Sequence, residues 1–369
     1  MLRLDVDYEK ISTHVVCVEN CSEVSEWPDR PIVNLDANFV IPNDQRNIDL
    51  SFPRLLLSRR FLESGERFGS LVNGDSIPDG SQNFRPYRRP DFSDEWDYLR
   101  KCWSLSRNGK EKIAQKILKS ASDVYYGNDP LDSLSDWLFR FCTFVTNPGF
   151  EKLFQNNIFS ITPHLERMLE SKDFIDAYNA QSKRRGGKYF SIIKEFYSSY
   201  SEFSQVYFFV VRCMDIPPDH YVSSENFDSV RMFYGNAFEV FTSLIDLLAM
   251  LNNIMLGRRY DQFENLTMAQ YKNLNKSKRF SPFSNNQNFM EICEEADNKL
   301  RNASHHGTIY FDKEMKIIRY GEGRGGSNSE INLSYTNYLE KCVKIYLQII
   351  ILCRLEMLIA HWMKMKIVC

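Results

Sequence analysis

The sequence lacks the local signatures of several common enzyme chemistries. It contains no Gly-x-Ser-x-Gly elbow, no His-Glu-x-x-His pair and no phosphate-binding loop ending in Gly-Lys-Ser/Thr. These absences argue against an α/β-hydrolase, a zinc peptidase and a P-loop nucleotidase. They leave chemistry that a few polar side chains perform without a cofactor.

The cysteines are too scattered to form a metal site. Among nine cysteines only Cys17 and Cys21 lie close together, with no matching pair to complete a zinc quartet. We therefore predict no metal and no other cofactor. An odd number of widely spaced cysteines favours reduced thiols over disulfide bonds. Residues Met1 to Glu19 lack a basic segment followed by an apolar block, so we expect no signal peptide and a cytoplasmic protein.

Long uncharged apolar runs are also missing. In the C-terminal helical pattern the longest one is Ile345 to Cys353, nine residues between Lys344 and Arg354. The apolar stretch from Phe233 to Gly257 contains two carboxylates. Both stretches are too short or too charged to predict a membrane span. The formal charge is −2, from 46 basic and 48 acidic residues, which excludes a general polycation but allows local basic patches.

The chain has ample apolar material for a core, with 43% hydrophobic residues in 369. Residues 1–95 are punctuated by proline and predict an irregular N-terminal region with short strands near Thr13 to Val18 and Phe39 to Pro42. Residues 96–221 are helical in pattern, and we interpret them as a regulatory or sensor region. Residues 222–369 predict a separate helical domain. The predicted fold class is therefore mainly α.

Aromatic residues recur every three or four positions from Phe190 to Tyr207. A stripe with this spacing favours a packed core over a platform for stacking bases.

The C-terminal region carries the clearest helix signals. Ser223 or Ser224 caps a long predicted helix that Gly257 closes. A capping box at Ser284 to Gln287 opens a second helix that runs into Arg301. The segment Thr308 to Tyr320 predicts a β-hairpin, and a final helix begins near Tyr335. The expected architecture is a helical bundle with a small hairpin inserted.

The second helix ends in the most distinctive residues of the chain. Arg301, His305 and His306 lie within six residues, and Gly307 follows them. Arginine keeps its charge at any working pH, whereas histidine exchanges protons near neutrality. This combination suits cleavage of a phosphodiester by acid and base chemistry. Arg301 and His305 share a helix face and His306 lies further round, but the spacing alone does not choose between the imidazoles.

The hexapeptide from Arg301 to His306 resembles the R-x(4–6)-H motif of the HEPN superfamily, in the form with asparagine directly after the arginine. The position near the end of an internal helix, between a long first and a long last helix, is similar too. The resemblance covers about residues 222–366. It implies a HEPN-like nuclease domain: a metal-independent endoribonuclease that acts on RNA, commonly as a toxin or an effector of antiviral defence or abortive infection. It also implies a homodimer with a composite active site, and an antitoxin, a phage trigger or another partner protein as regulator.

The resemblance also implies roles for individual residues. His306 would act as general base or acid. Arg301 would bind the scissile phosphate and stabilise its developing charge. Asn302 would orient the arginine or the backbone. His305 would bind phosphate or serve as the working histidine instead.

Basic residues elsewhere are candidates for RNA binding. The connection before the motif helix carries Arg258, Arg259, Lys272, Lys276, Lys278 and Arg279. We take Lys278, Arg279, Arg258 and Arg259 as the predicted substrate-binding residues. Lys183 to Lys188 predicts a second basic group, in a glycine-containing turn. Both groups are also compatible with a simple solvated surface.

Two acidic residues interrupt the apolar helix of the predicted bundle. If Glu239 and Asp246 face inward, they are placed to hold Arg301.

Two alternatives to catalysis remain at this stage. Arg301 and the histidines could simply decorate a helix C-terminus, where cations are favoured by the helix dipole. Alternatively, the bundle could be a non-catalytic HEPN-like module for dimerisation or interaction.

Overall fold

A computed structural model describes residues 2–7, 12–17, 92–126, 129–217, 220, 222–224, 226–306, 308–321 and 330–365. The chain forms two compact units, Met1–Arg85 and Pro86–Cys369. In the first unit β1 (Leu2–Asp7) pairs with β2 (Ser12–Cys17) as an antiparallel hairpin in which Leu2 lies opposite Cys17. The second strand confirms the β prediction near Thr13 to Val18. The strand predicted at Phe39 to Pro42 lies outside the described residues.

The second unit is mostly helical, as predicted. Its first half consists of helices α1 (Phe92–Arg107), α2 (Glu111–Ala121), α3 (Leu134–Thr146), α4 (Glu151–Ile161), α5 (Leu165–Glu170), α6 (Lys172–Asn179), α7 (Ser182–Ser198) and α8 (Tyr200–Val211).

The second half contains α9 (Phe227–Leu244), α10 (Asp246–Met255), α11 (Met268–Lys272), α12 (Gln287–Ile292), α13 (Asn298–His306), β3 (Ile309–Asp312), β4 (Ile317–Gly321), β5 (Glu330–Ser334) and α14 (Tyr335–Trp362). Short 3₁₀ turns cover Lys276–Lys278 and Ser281–Phe283. The three strands form one antiparallel sheet in the order β3-β4-β5.

Helix α14 is the centre of this unit and is buried on nearly all sides for most of its length. It packs against α3, α4, α7, α8 and α9, so both halves of the helical region share one core. The aromatic repeat lies in that core, where the Phe196 and Tyr346 rings stack with centroids 3.6 Å apart. The residues predicted as two regions, 96–221 and 222–369, therefore belong to a single compact unit.

The long first helix of the predicted bundle is interrupted. It is capped by the Asn226 side chain, which accepts a hydrogen bond from the Ser229 backbone N–H, and not by Ser223 or Ser224. The helix breaks after Leu244. The Leu244 carbonyl accepts a hydrogen bond of 2.8 Å from the Arg185 guanidinium and therefore does not take part in the hydrogen bonds of the helix backbone. Gly257 closes α10 with a φ of 80°, as predicted.

The predicted motif helix is also two helices. Asn286, and not Ser284, caps α12, and the chain turns between Ile292 and Asn298. Tertiary bonds hold this turn, since the Glu295 carbonyl accepts from the Tyr234 hydroxyl at 3.0 Å and the Glu295 N–H donates to Gln348 at 3.2 Å. The hairpin and the final helix match their predictions, with Ser334 capping α14. The strand β5 was not predicted.

The helical stretch Phe227–Met255 is, among the described residues, the one that is long and apolar enough to cross a membrane despite Glu239 and Asp246. However, 78% of its most apolar window is buried inside the protein, which is typical of the core helix of a soluble protein.

Candidate active site

Helix α13 begins and packs through identifiable local contacts. One carboxylate oxygen of Asp297 accepts hydrogen bonds from the backbone N–H groups of Lys299 and Leu300, at 2.9 and 3.1 Å, and so caps the helix. Leu300 and Ala303 are buried and fix the inward face. Arg301 therefore lies at the edge of the packed face, where it is half-buried.

Glu239 of α9 holds the Arg301 side chain. The Nη2 atom of Arg301 donates to a Glu239 carboxylate oxygen, and Nη1 donates to the side-chain oxygen of Asn302 at 2.7 Å. The Nε atom is buried and has no hydrogen-bond partner among the described residues. Two of the three guanidinium nitrogens are thus fixed in direction. The prediction that Glu239 faces inward and holds Arg301 is confirmed.

A second cation shares the same carboxylate. The Nζ atom of Lys276, from the 3₁₀ turn, pairs with the other oxygen of Glu239. Burial lowers the pKa of Lys276, and the neighbouring Arg301 and Arg279 lower it further. One negative charge therefore faces at least two positive ones, and the excess charge is positive.

These cations border a cavity of about 460 Å³ at the junction of α13 and the preceding connection. Three basic residues line it, and its lining contains no carboxylate. The lining residues are Leu274, Asn275, Lys276, Ser277, Arg279, Asn298, Arg301 and Asn302. A cavity with this charge favours an anion such as a phosphate.

Arg279 is held by backbone carbonyls. Its Nη1 donates to the Thr242 carbonyl at 3.1 Å and its Nη2 to the Lys272 carbonyl at 2.7 Å, while its buried Nε has no partner within the described part of the chain. Neutral carbonyls do not cancel the guanidinium charge. Arg279 therefore contributes a full positive charge to the cavity.

The two histidines end the same helix. His305 is half-buried, and its ring lies on α9 at Gly235, where a Cβ atom would come within 2.9 Å of Nε2. Only a residue without a side chain allows the imidazole to approach the α9 backbone this closely. His306 occupies the last position of α13, and its side chain lies outside the described residues.

The other predicted substrate-binding residues are placed differently. Lys278 is exposed, one residue from Arg279. Arg258 lies 3.9 Å from Glu264 and lines a separate cavity of about 910 Å³. Arg259 is exposed and pairs with Asp261 at 3.1 Å and more loosely with Asp173. The structure thus places Arg279 and Arg301 in the same cavity, whereas Arg258 and Arg259 are each paired with a carboxylate.

The basic group at Lys183 to Lys188 is not a turn but lies within α7. Arg185 is buried and pairs with Glu356 of α14 and Asp246 of α10. The prediction of a turn is wrong because these core carboxylates draw Arg185 inward and leave the glycines in a packed helix. Asp246 therefore holds Arg185 rather than Arg301.

Gly235 contacts His305 and Ser243 binds Lys188, and the motif did not indicate either contact. With Arg231 and Glu239 these two residues of α9 are spaced four apart, and so share one face. Arg231 donates to the Ser304 carbonyl at 2.8 Å, which adds a further link between α9 and α13. The signal present in the sequence is a row of polar or small residues at four-residue spacing along an otherwise apolar helix.

Among the residues that the structure describes, no group of three or more histidine, cysteine, aspartate or glutamate side chains is arranged to hold a metal ion.

Comparisons with models of known protein families, with curated proteins and with solved structures give no match to this chain.

Proposed function

We propose that this protein is a HEPN-type, metal-independent endoribonuclease. The observation that carries the proposal is the cationic cavity beside the first half of α13, where Lys276, Arg279 and Arg301 converge on the helix whose last residue is His306. Phosphate is the anion that a cluster of arginine and lysine binds best, and an imidazole near it supplies proton transfer.

In the proposed reaction the 2′-oxygen of a ribose attacks the neighbouring phosphorus, and the bond from phosphorus to the 5′-oxygen breaks. His306 takes the proton of the 2′-hydroxyl, and a protonated imidazole returns a proton to the leaving 5′-oxygen. A second copy of the site across a homodimer would supply that acid. The products are a 2′,3′-cyclic phosphate and a 5′-hydroxyl end.

Arg301 would stabilise the charge that develops on the phosphate. Each of its Nη atoms carries a second N–H beyond the one bonded to Glu239 or Asn302, and these remaining donors match two phosphate oxygens. Arg279 and Lys276 would add charge. His305, packed on α9 at Gly235, would position the helix end, which leaves His306 as the acid or base.

Cleavage of RNA by the purified full chain tests this proposal. Wild type should cut single-stranded RNA to cyclic-phosphate ends in the presence of EDTA, whereas Arg301→Ala and His306→Ala should each lose about 10² to 10⁴ of the rate. His361→Ala, at an exposed histidine of α14, is the matched control. Cleavage that persists in both site variants, or that EDTA abolishes, would show that the mechanism is wrong. Absence of cleavage alongside stable dimers would favour the non-catalytic module.

The proposed biological role is that of a cytoplasmic toxin or anti-phage effector, with an antitoxin, phage trigger or other protein as regulator. Induced expression of wild type and of His306→Ala, scored for growth and total RNA integrity together, tests this role. Wild type alone should arrest growth with fragmented RNA. Equal growth of the two strains would oppose it.

A further inference from the structure

A fourth cation follows the site along α9. Lys188 of α7 donates to the Ser243 hydroxyl at 2.7 Å. Ser243 lies one helical turn beyond Glu239, which binds Arg301 and Lys276. At a rise of about 1.5 Å per residue, these two positions are about 6 Å apart along the helix axis.

Arg279 links the two positions. It donates to the carbonyl of Thr242, directly before Ser243, and it also lines the cavity with Lys276 and Arg301. The positive charges therefore continue from the cavity, across Arg279, to Lys188. Lys188 itself is not part of the cavity lining.

This row of charges is weakly neutralised beyond Glu239. Within the described part of the chain, no carboxylate bonds to Lys188 or Arg279. Asp246, the acid that attracts Lys188, is bonded to Arg185. Burial lowers the pKa of Lys188 to about 8, and the neighbouring Arg184, Arg185 and Arg279 contribute to the decrease.

The position of Lys188 is not explained by stabilisation of the C-terminus of α9. Arg279 and Arg185 bind the backbone carbonyls of Thr242 and Leu244, as cations at a helix end commonly do. Lys188 instead binds a side-chain hydroxyl and keeps two further N–H donors. A half-buried ammonium among other cations is unfavourable by itself, and an added anion would relieve that repulsion.

We propose that Lys188 and Arg279 form a second phosphate subsite, which binds the RNA phosphate adjacent to the scissile one. This inference rests on the proposed ribonuclease function and deepens it. The RNA strand would run along the C-terminal half of α9 from Arg301 towards α7. Helix α7 lies upstream of the HEPN-like region, so residues 96–221 would contribute directly to substrate binding.

Binding of a short oligonucleotide that cannot be cleaved tests the subsite. The probe is a fluorescent single strand of about eight nucleotides with 2′-fluoro sugars, within the length that small single-strand sites cover. Fluorescence anisotropy is measured from low to moderate salt with wild type, Lys188→Ala and Lys188→Arg. Lys194→Ala, at an exposed lysine of the same helix, is the matched control.

Lys188→Ala should raise the Kd about fivefold and reduce the slope of log Kd against log salt by about 0.7, the value for one phosphate contact on a single strand. Lys188→Arg should keep the wild-type Kd and salt slope, and Lys194→Ala should change neither quantity. Lys188→Met, which keeps the aliphatic packing, replaces the alanine variant if thermal unfolding shows that the latter is misfolded.

The outcomes separate the two proposals. Unchanged binding and slope in Lys188→Ala or Lys188→Met overturn the subsite while leaving the ribonuclease proposal intact. If wild type binds the probe through Lys188 but never cuts unmodified RNA, the subsite stands and the catalytic proposal falls. If wild type does not bind the probe at all, the subsite is wrong.

Discussion

At the scale of single residues, Glu239 determines both the orientation of Arg301 and the net charge of the candidate site. A carboxylate in a largely buried helix is tolerated here because it binds two cations, Arg301 and Lys276. It also reduces the attraction of both cations for an anionic ligand, because Glu239 neutralises part of their charge. Glu239 is therefore a positioning residue with two opposed effects: it orients Arg301 for the reacting phosphate, and it weakens the overall attraction for RNA.

Glu239→Gln separates these effects because it keeps the size and a hydrogen-bond acceptor but removes the charge. We expect KM for RNA to fall about threefold as two cations are released, and kcat to fall about tenfold as Arg301 loses its ionic anchor. Steady-state cleavage kinetics measure both constants. Glu294→Gln, an exposed acid beyond the end of α12, should leave both unchanged. A parallel loss in kcat and stability without a decrease in KM would indicate a purely structural role.

The sequence identifies Arg301 by its spacing from two histidines, and Glu239 because it interrupts an apolar helix. It does not identify Lys276 or Lys188 as neighbours of the site, since both are long side chains on segments far apart in the chain. Their positions follow from the packing of α7 on α9 and from the path of the connection after α11. Surface lysines are too common for composition or spacing to distinguish those that converge.

At the scale of helices, the packing of α9 on α13 depends on a contact that only glycine permits. Gly235 lets the His305 ring rest against the α9 backbone, between the Arg231–Ser304 bond on one side and the Glu239–Arg301 pair on the other. The three contacts together fix the rotation of α13. The direction of Arg301 is therefore a property of the helix pair.

Gly235→Ala tests this packing through a double-mutant cycle with His305→Ala. In an otherwise unchanged helix, alanine in place of glycine stabilises by about 1 kcal/mol. With His305 present, the new Cβ would lie 2.9 Å from Nε2, so we expect Gly235→Ala to destabilise the protein instead. In the His305→Ala background the stabilisation should return, giving a coupling energy of about 1–3 kcal/mol. Denaturant unfolding measures all four proteins, and additive effects would contradict the contact.

Local signals predicted some elements well and others poorly. The final helix has a serine cap and a continuous apolar stripe, and its start at Tyr335 matches the prediction. The single motif helix was wrong because Asp297 starts a new helix and tertiary bonds to Glu295 hold the intervening turn. Strand β5 is short, with an alternating exposed face, and its pairing with β4 is a contact that the local sequence does not reveal.

At the scale of the whole molecule, the helices from both predicted regions depend on one set of buried charges. Arg185 of α7 binds both carboxylate oxygens of Glu356 at 2.7 Å, and it also pairs with Asp246. The hydroxyls of Tyr178 and Tyr189 donate to the same glutamate. Glu356 is fully buried, so its charge is stable only while these partners surround it. Composition and helical periodicity do not reveal this link, which is why the sequence suggested a boundary at residue 221.

Residues 222–369 produced alone should therefore fail to fold, although they contain the whole stretch that resembles the HEPN superfamily. Without α3, α4, α7 and α8, the apolar surface of α14 would face water. Asp246 and Glu356 would also lose Arg185, and removal of one partner from a buried pair costs about 3–5 kcal/mol, which is comparable to the total stability of many domains. We expect aggregation and no cooperative unfolding transition for this fragment, whereas the full chain should show a cooperative transition by circular dichroism and calorimetry. A monomeric fragment with a sharp transition of its own would contradict the shared core. It would also mean that α7 is not needed for residues 222–369 to fold.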